Sequence, residues 1–119
     1  MKKIDVLGAE YEICTHKISE DNALKQNHWA GYCNEFTKQI VLADFTEQEF
    51  FPDMTENEIE ACKKSILRHE IVHAFLNESG LSANTLQVSE AWAKNEEMVD
   101  WIAIQFPKIL TTFQLLGVL

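Results

Sequence analysis

The stretch S-I-L-R-H-E-I-V-H-A-F-L-N-E-S-G, residues 65–80, constrains this chain more than any other. Its apolar residues recur at helical spacing, yet His69, Glu70 and His73 stand among them. Burying three such groups costs free energy unless something pairs with them. Thr55 and Glu58 make a capping-box pattern ahead of the stretch. The spacing therefore predicts a helix over about 56–78, stopped by Asn77 to Gly80. One side carries Ile59, Cys62, Ile66, His69, His73 and Leu76 at steps of three and four. A second side carries Leu67, Ile71, Ala74 and Phe75, which leaves Glu60, Lys64 and Arg68 as the clear solvent stripe. A helix apolar over most of its circumference belongs at the centre of a fold.

Residues 69–73 read H-E-x-x-H. Positions four apart on an α-helix share a face, so the two imidazoles can converge on one ion, and neutral imidazole nitrogen suits Zn²⁺. Glu70 lies one step round the turn, where it reaches a water on the ion more easily than the ion itself. Zinc lowers the pKa of such a water, and a neighbouring carboxylate takes its proton. A third ligand is available in S-E-A-W-A-K-N-E-E-M-V-D-W-I-A-I-Q-F, residues 89–106. Glu96 and Asp100 are four apart there, with Trp92, Val99, Ala103 and Phe106 on or beside the same face, so that face is expected to turn inward. Glu96 then completes the ligand set, and Asp100 accepts the ring N–H of a ligating histidine, which fixes its tautomer. Glu97 is the rival third ligand, but its own fourth position is Trp101, not a carboxylate. Two histidines, one glutamate and an open position describe a catalytic zinc site rather than a closed structural one.

H-E-x-x-H followed by a helix bearing N-E-x-x-x-D resembles the gluzincin metallopeptidases, the thermolysin-like branch of the zincins. Asn95 to Asp100 match the second motif at all three fixed positions. The likeness covers about half the chain, which looks like a minimal gluzincin. It is similar to small bacterial and phage-borne metallopeptidase domains, including those associated with cleavage of repressor proteins. The resemblance implies His69, His73 and Glu96 as zinc ligands, Glu70 as general base and Asp100 as partner of His69. It also implies a strand edge near the active helix that pairs with extended substrate. Lys38, Gln39, Ile40, Val41, Leu42 and Ala43 are the candidate edge strand, because this run is rich in β-formers.

The remaining chain supplies a scaffold. K-I-D-V-L-G and E-Y-E-I-C-T-H alternate apolar and polar residues around Gly8-Ala9, as a hairpin does. Residues 17–31 read as a loop or a short helix, Y-C-N-E-F as a strand partner for 38–43, and residues 44–55 as a loop with a helical turn. A second helix is expected from near Ser89 to about Phe106, ended by Pro107, with the apolar tail packed onto the body. The expected fold is α+β and zincin-like, one domain over 1–119. A small, mostly antiparallel sheet packs on the active helix, and the second helix delivers Glu96.

Charge and cysteines narrow the function class. Ten basic against nineteen acidic residues give a net charge of −9, with no Lys/Arg stripe, which argues against a nucleic-acid partner. No apolar run approaches a membrane span, so no membrane association is expected. Asp5, Glu10 and Glu12 interrupt what Lys2 and Lys3 would open as a signal peptide. Cys14, Cys33 and Cys62 are odd in number and lack C-x-x-C spacing, as small core residues in a reducing, cytoplasmic setting would be. His16 and His28 lack ligand spacing. Trp29, Trp92 and Trp101 read as core and rim packing, and Met54 and Met98 as gap-fillers. The functional expectation is a zinc-dependent peptide hydrolase acting on a peptide or protein, as a monomer or weak homodimer. The alternative is a zinc-containing module that sequesters a protein partner with little or no turnover.

Overall fold

The fold comes from a computed structural model, which describes residues 2–82 and 91–119. It is a mixed α+β arrangement. Strands β1 (Lys2–Val6) and β2 (Ala9–His16) form an antiparallel hairpin. Its turn is Leu7-Gly8, both at positive φ (51° and 92°), one residue earlier than the pattern suggests because Ala9 already pairs with Val6. Two positive φ values match the twist of a two-residue hairpin, and only Gly8 adopts its own without steric cost.

After a 3₁₀ turn at Ile18–Glu20, helix α1 (Asn22–Asn27) is capped by Asp21, whose side chain accepts from the Leu24 N–H. Strands β3 (Gly31–Asn34) and β4 (Gln39–Ala43) complete a four-stranded sheet in the order β1-β2-β4-β3. The outer pairs are antiparallel, but β2 and β4 run parallel, so the sheet is mixed.

This order corrects the assignment of the 38–43 run as a free edge. β4 is bonded to β2 on one side and to β3 on the other, and Lys38 lies outside it in a left-handed turn (φ 57°). The β-formers that made the run attractive are also its most apolar residues. Ile40 packs into one core cluster and Val41 into the opposite one, as a strand covered on both faces requires. The edge strand on this side is β3.

Helix α2 (Glu56–Leu76) starts where expected, with both capping-box bonds formed between Thr55 and Glu58. Leu67, Ile71 and Ala74 lie against Val6, Tyr11 and Ile40 of the sheet. That packing leaves the His69/His73 face turned away from the sheet, toward the rest of the chain. A wider turn at Asn77–Leu81, with Gly80 at φ 84°, ends the helix. There Glu78 accepts from the Tyr11 hydroxyl (2.7 Å) and pairs with Lys38, fastening the sheet to the end of α2. Burial, with Glu78 beside it, pushes the Tyr11 phenol well above its usual range.

The second helix departs from expectation at both ends. Ser89 lies outside the described residues. Helix α3 spans Glu96–Leu116, after a 3₁₀ turn at Trp92–Lys94, with Asn95 accepting from the Met98 N–H as its cap. It also runs through Pro107. Proline removes one interior bond and strains the preceding turn. The helix nevertheless continues to Leu116, and beyond the proline the Thr111 and Thr112 hydroxyls donate to the Pro107 and Lys108 carbonyls. The tail is therefore helical, and it does not pack onto the body: residues 111–119 are all exposed. No described helix is long and apolar enough to cross a membrane.

One glycine sets the spacing between sheet and helix. A Cβ on Gly31 would stand 2.7 Å from Ile66 Cγ2 and 3.0 Å from the Val41 carbonyl oxygen. Gly31→Ala is expected to destabilise the fold by about 1–3 kcal/mol through overpacking. Urea unfolding would show the midpoint fall with the slope unchanged.

Candidate metal centre

α2 and α3 bring the predicted residues together by running in opposite directions. His73 meets Glu96, and one turn away His69 meets Asp100. The His69 and His73 Nε2 atoms are 3.1 Å apart. Glu96 closes the triangle, with Oε2 3.0 Å from His69 Nε2 and Oε1 3.0 Å from His73 Nε2. The Asn95 cap fixes the start of α3 and so places Glu96 in its first turn, beside the imidazoles. Glu97 makes none of these contacts among the described residues, so the geometry separates two neighbouring glutamates.

The outer nitrogens fix the tautomers. His73 Nδ1 lies 2.7 Å from the Ala93 carbonyl oxygen, which can only accept, so His73 carries its proton on Nδ1. His69 Nδ1 donates to Asp100 Oδ1 at 2.7 Å. With the proton on Nδ1, each ring aims its Nε2 lone pair at one point, beside a carboxylate. Three electron-pair donors facing each other repel, and a cation among them relieves the repulsion. Their spacing of 3.0–3.1 Å approaches the roughly 3.3 Å separating ligands about 2.05 Å from a tetrahedral ion. Burial outweighs the Ala93 and Glu96 contacts and lowers the His73 pKa, which keeps that ring neutral.

Glu70 sits behind this triangle. It is the buried charged residue of the described chain, 7% exposed. Burial raises its carboxyl pKa to about 7, with His69 opposing and Glu96 adding to the rise. A carboxylate oxygen of Glu70 and nitrogens of His69 and His73 all lie within 4.8 Å of one another. So a His-Glu-His group can hold a metal ion here. The two candidate triads differ in their carboxylate, and the closer oxygen contacts belong to Glu96.

A cleft of about 820 Å³ opens beside the imidazoles, lined by β3, by the exposed face of α2 and by the first half of α3. Trp29, Tyr32, Ile66 and Ile104 supply apolar lining, and Arg68, Lys94 and Glu35 polar lining. Lys94 and Glu35 approach to 3.7 Å across it. The 38–43 run contributes none of the lining residues. Two participants were invisible in the sequence. The Ala93 carbonyl is backbone, and its aim depends on the 3₁₀ turn before α3. Trp29 reads as packing, yet it is 47% exposed at the cleft, carried there by the left-handed His28 that ends α1.

The other singled-out residues lie elsewhere. His16 donates to Asp21 (2.7 Å), which also accepts from the Tyr32 hydroxyl (2.9 Å). The three cysteines are free and half-buried. Burial, with the Glu70 charge adding to it, pushes the Cys33 thiol up to about 12, so it is no nucleophile. Trp92 and Trp101 are each 59% exposed rather than core. No protein-family model, curated protein or solved structure matches the chain.

Proposed function

We propose that the protein is a zinc-dependent peptide hydrolase. The observation that carries this reading is the triangle of His69 Nε2, His73 Nε2 and the Glu96 carboxylate, with both Nδ1 protons already committed elsewhere. Two imidazoles and one carboxylate are the donor set of an open catalytic zinc site. Bound there, Zn²⁺ supplies Lewis acidity toward a carbonyl oxygen and toward water. His69, His73 and Glu96 hold the ion. Asp100 and the Ala93 carbonyl keep the two rings in the tautomer that leaves Nε2 free. Glu70 accepts a proton from the attacking water at its carboxylate and returns it to the leaving amine. An extended peptide lies in the cleft and pairs with the outer edge of β3, Gly31–Asn34, in place of the strand expected from the sequence.

Untagged protein should retain about one zinc per chain after gel filtration. Glu96→Ala should lose it and Glu97→Ala should keep it, read by elemental analysis. Digestion of a diverse peptide pool, followed by mass spectrometry, should show new termini that a chelator suppresses. Zinc retained by Glu96→Ala would overturn the ligand assignment. Zinc bound with no cleavage at any concentration would favour the partner-sequestering alternative.

A further inference from the structure

We propose that Lys94 is a further catalytic residue, whose ammonium donates a hydrogen bond to the scissile carbonyl oxygen as negative charge gathers there. This role rests on the peptide-hydrolase reading and fills a place that reading leaves empty. A carbonyl attacked by water carries that charge in the transition state, and donors aimed at it lower the barrier. His69, His73 and Glu96 lend lone pairs, while Glu70 and Asp100 are acids, so none of them offers a donor to this oxygen.

The lining of the cleft narrows the choice. The Tyr32 hydroxyl lies there but donates to Asp21 (2.9 Å), and the Asn77 amide nitrogen faces the Cys33 sulfur (3.8 Å). Arg68 lines the cleft too, yet it is exposed and falls in the solvent stripe of α2 with Lys64. Lys94 is better placed. Its N–H donates to the Ala91 carbonyl (2.9 Å), in the same 3₁₀ turn whose Ala93 carbonyl holds His73 and which leads into Glu96. Its side chain reaches across the cleft toward Glu35. The Cys33 thiol feels the charges of Glu70, Lys94 and Glu35 alike, so the ammonium and the general base share one part of the cleft.

Glu35 does not commit the lysine. Their separation of 3.7 Å is beyond hydrogen-bonding reach, and the Lys94 side chain is 40% exposed, a setting in which an ion pair is worth little. The flexible four-carbon stem lets the ammonium leave Glu35 for a bound peptide. Lys94 keeps its own protons throughout. Water adds to the carbonyl carbon, and one of its protons passes through Glu70 to the nitrogen as the C–N bond breaks. The other stays with the new acid.

On a peptide recovered from the pool digestion, Lys94→Met should lower kcat by about 10²–10³-fold with KM changed by less than about threefold, the loss expected for one oxyanion donor. Lys94→Arg should recover part of it. Lys64→Met, the same charge change on the solvent stripe, should act as wild type. Each variant should keep about one zinc per chain, because no ligand has been removed. Calorimetry on the zinc-loaded protein gives a readout without turnover. N-phosphoryl-Leu-Phe carries a tetrahedral anion shaped like the attacked carbonyl, and N-acetyl-Leu-Phe a planar carbonyl. Lys94→Met should weaken the first by at least about tenfold and the second by less than about threefold. Equal weakening of both, or cleavage by Lys94→Met at the wild-type rate, would overturn the assignment. So would loss of zinc from Lys94→Met, which would make the residue a structural part of its turn. Cleavage by neither protein would instead overturn the hydrolase reading, and this role with it.

Discussion

Replacing Glu70 by glutamine is expected to leave zinc bound and to cut peptide hydrolysis by about 10²–10⁴-fold, the range a positioned general base contributes. The substitution keeps shape and volume, which matters for a residue only 7% exposed. It removes the one property the proposed step needs, a carboxylate able to take a proton. Metal retention follows from the geometry, because the oxygens touching both imidazoles belong to Glu96 rather than Glu70. Measuring zinc content and hydrolysis on the same preparation separates the possible roles. If Glu70→Gln loses zinc as completely as Glu96→Ala, then Glu70 is itself a ligand, as the compact His69–Glu70–His73 cluster allows. If it cleaves peptides at the wild-type rate, Glu70 is not the base.

The helical half of the site was legible because helix periodicity is a local rule. A capping box at Thr55 and Glu58 locates the start of α2, and a step of four places His69 and His73 on one face. The same step distinguishes Glu96 from Glu97, and Asp100 does lie beside His69. What the sequence hid depends on distant packing. Residues 39–43 look like any strand of β-formers. Only the parallel pairing with β2, across the intervening α1 and β3, puts them inside the sheet. Pro107 reads as a stop signal because it cannot donate to the Ala103 carbonyl, yet the chain on either side of it keeps its helical course. The exposure of the last turns of α3 could not be read at all. Apolar side chains favour a core, but a folded surface carries many of them as well, so the pattern alone does not say which.

Zinc should raise the thermal midpoint of the wild-type chain by on the order of 10 °C, and this increment should vanish in His73→Ala. A ligand that binds only the folded state at about 100 times its Kd adds about 2.7 kcal/mol, and a domain of this size shifts by several degrees per kcal/mol. The folded state alone brings the donors together, because they come from two helices 20 and more residues apart. His73→Ala deletes one donor and also leaves the Ala93 carbonyl without its partner. The metal-free variant should therefore be less stable as well, by about 1–3 kcal/mol. The pH dependence has a definite sign. His73 is held below the ordinary imidazole pKa, so the unfolded chain binds the extra proton first. Its contribution to stability is present above about pH 6.5 and declines as the pH falls from there. Calorimetry of wild type, His73→Ala and Glu97→Ala, each with zinc and with chelator, tests the coupling directly. Glu97→Ala should behave as wild type. An equal zinc increment in His73→Ala would mean that the ion stabilises the chain from some other place, and the triangle of His69, His73 and Glu96 would lose its role.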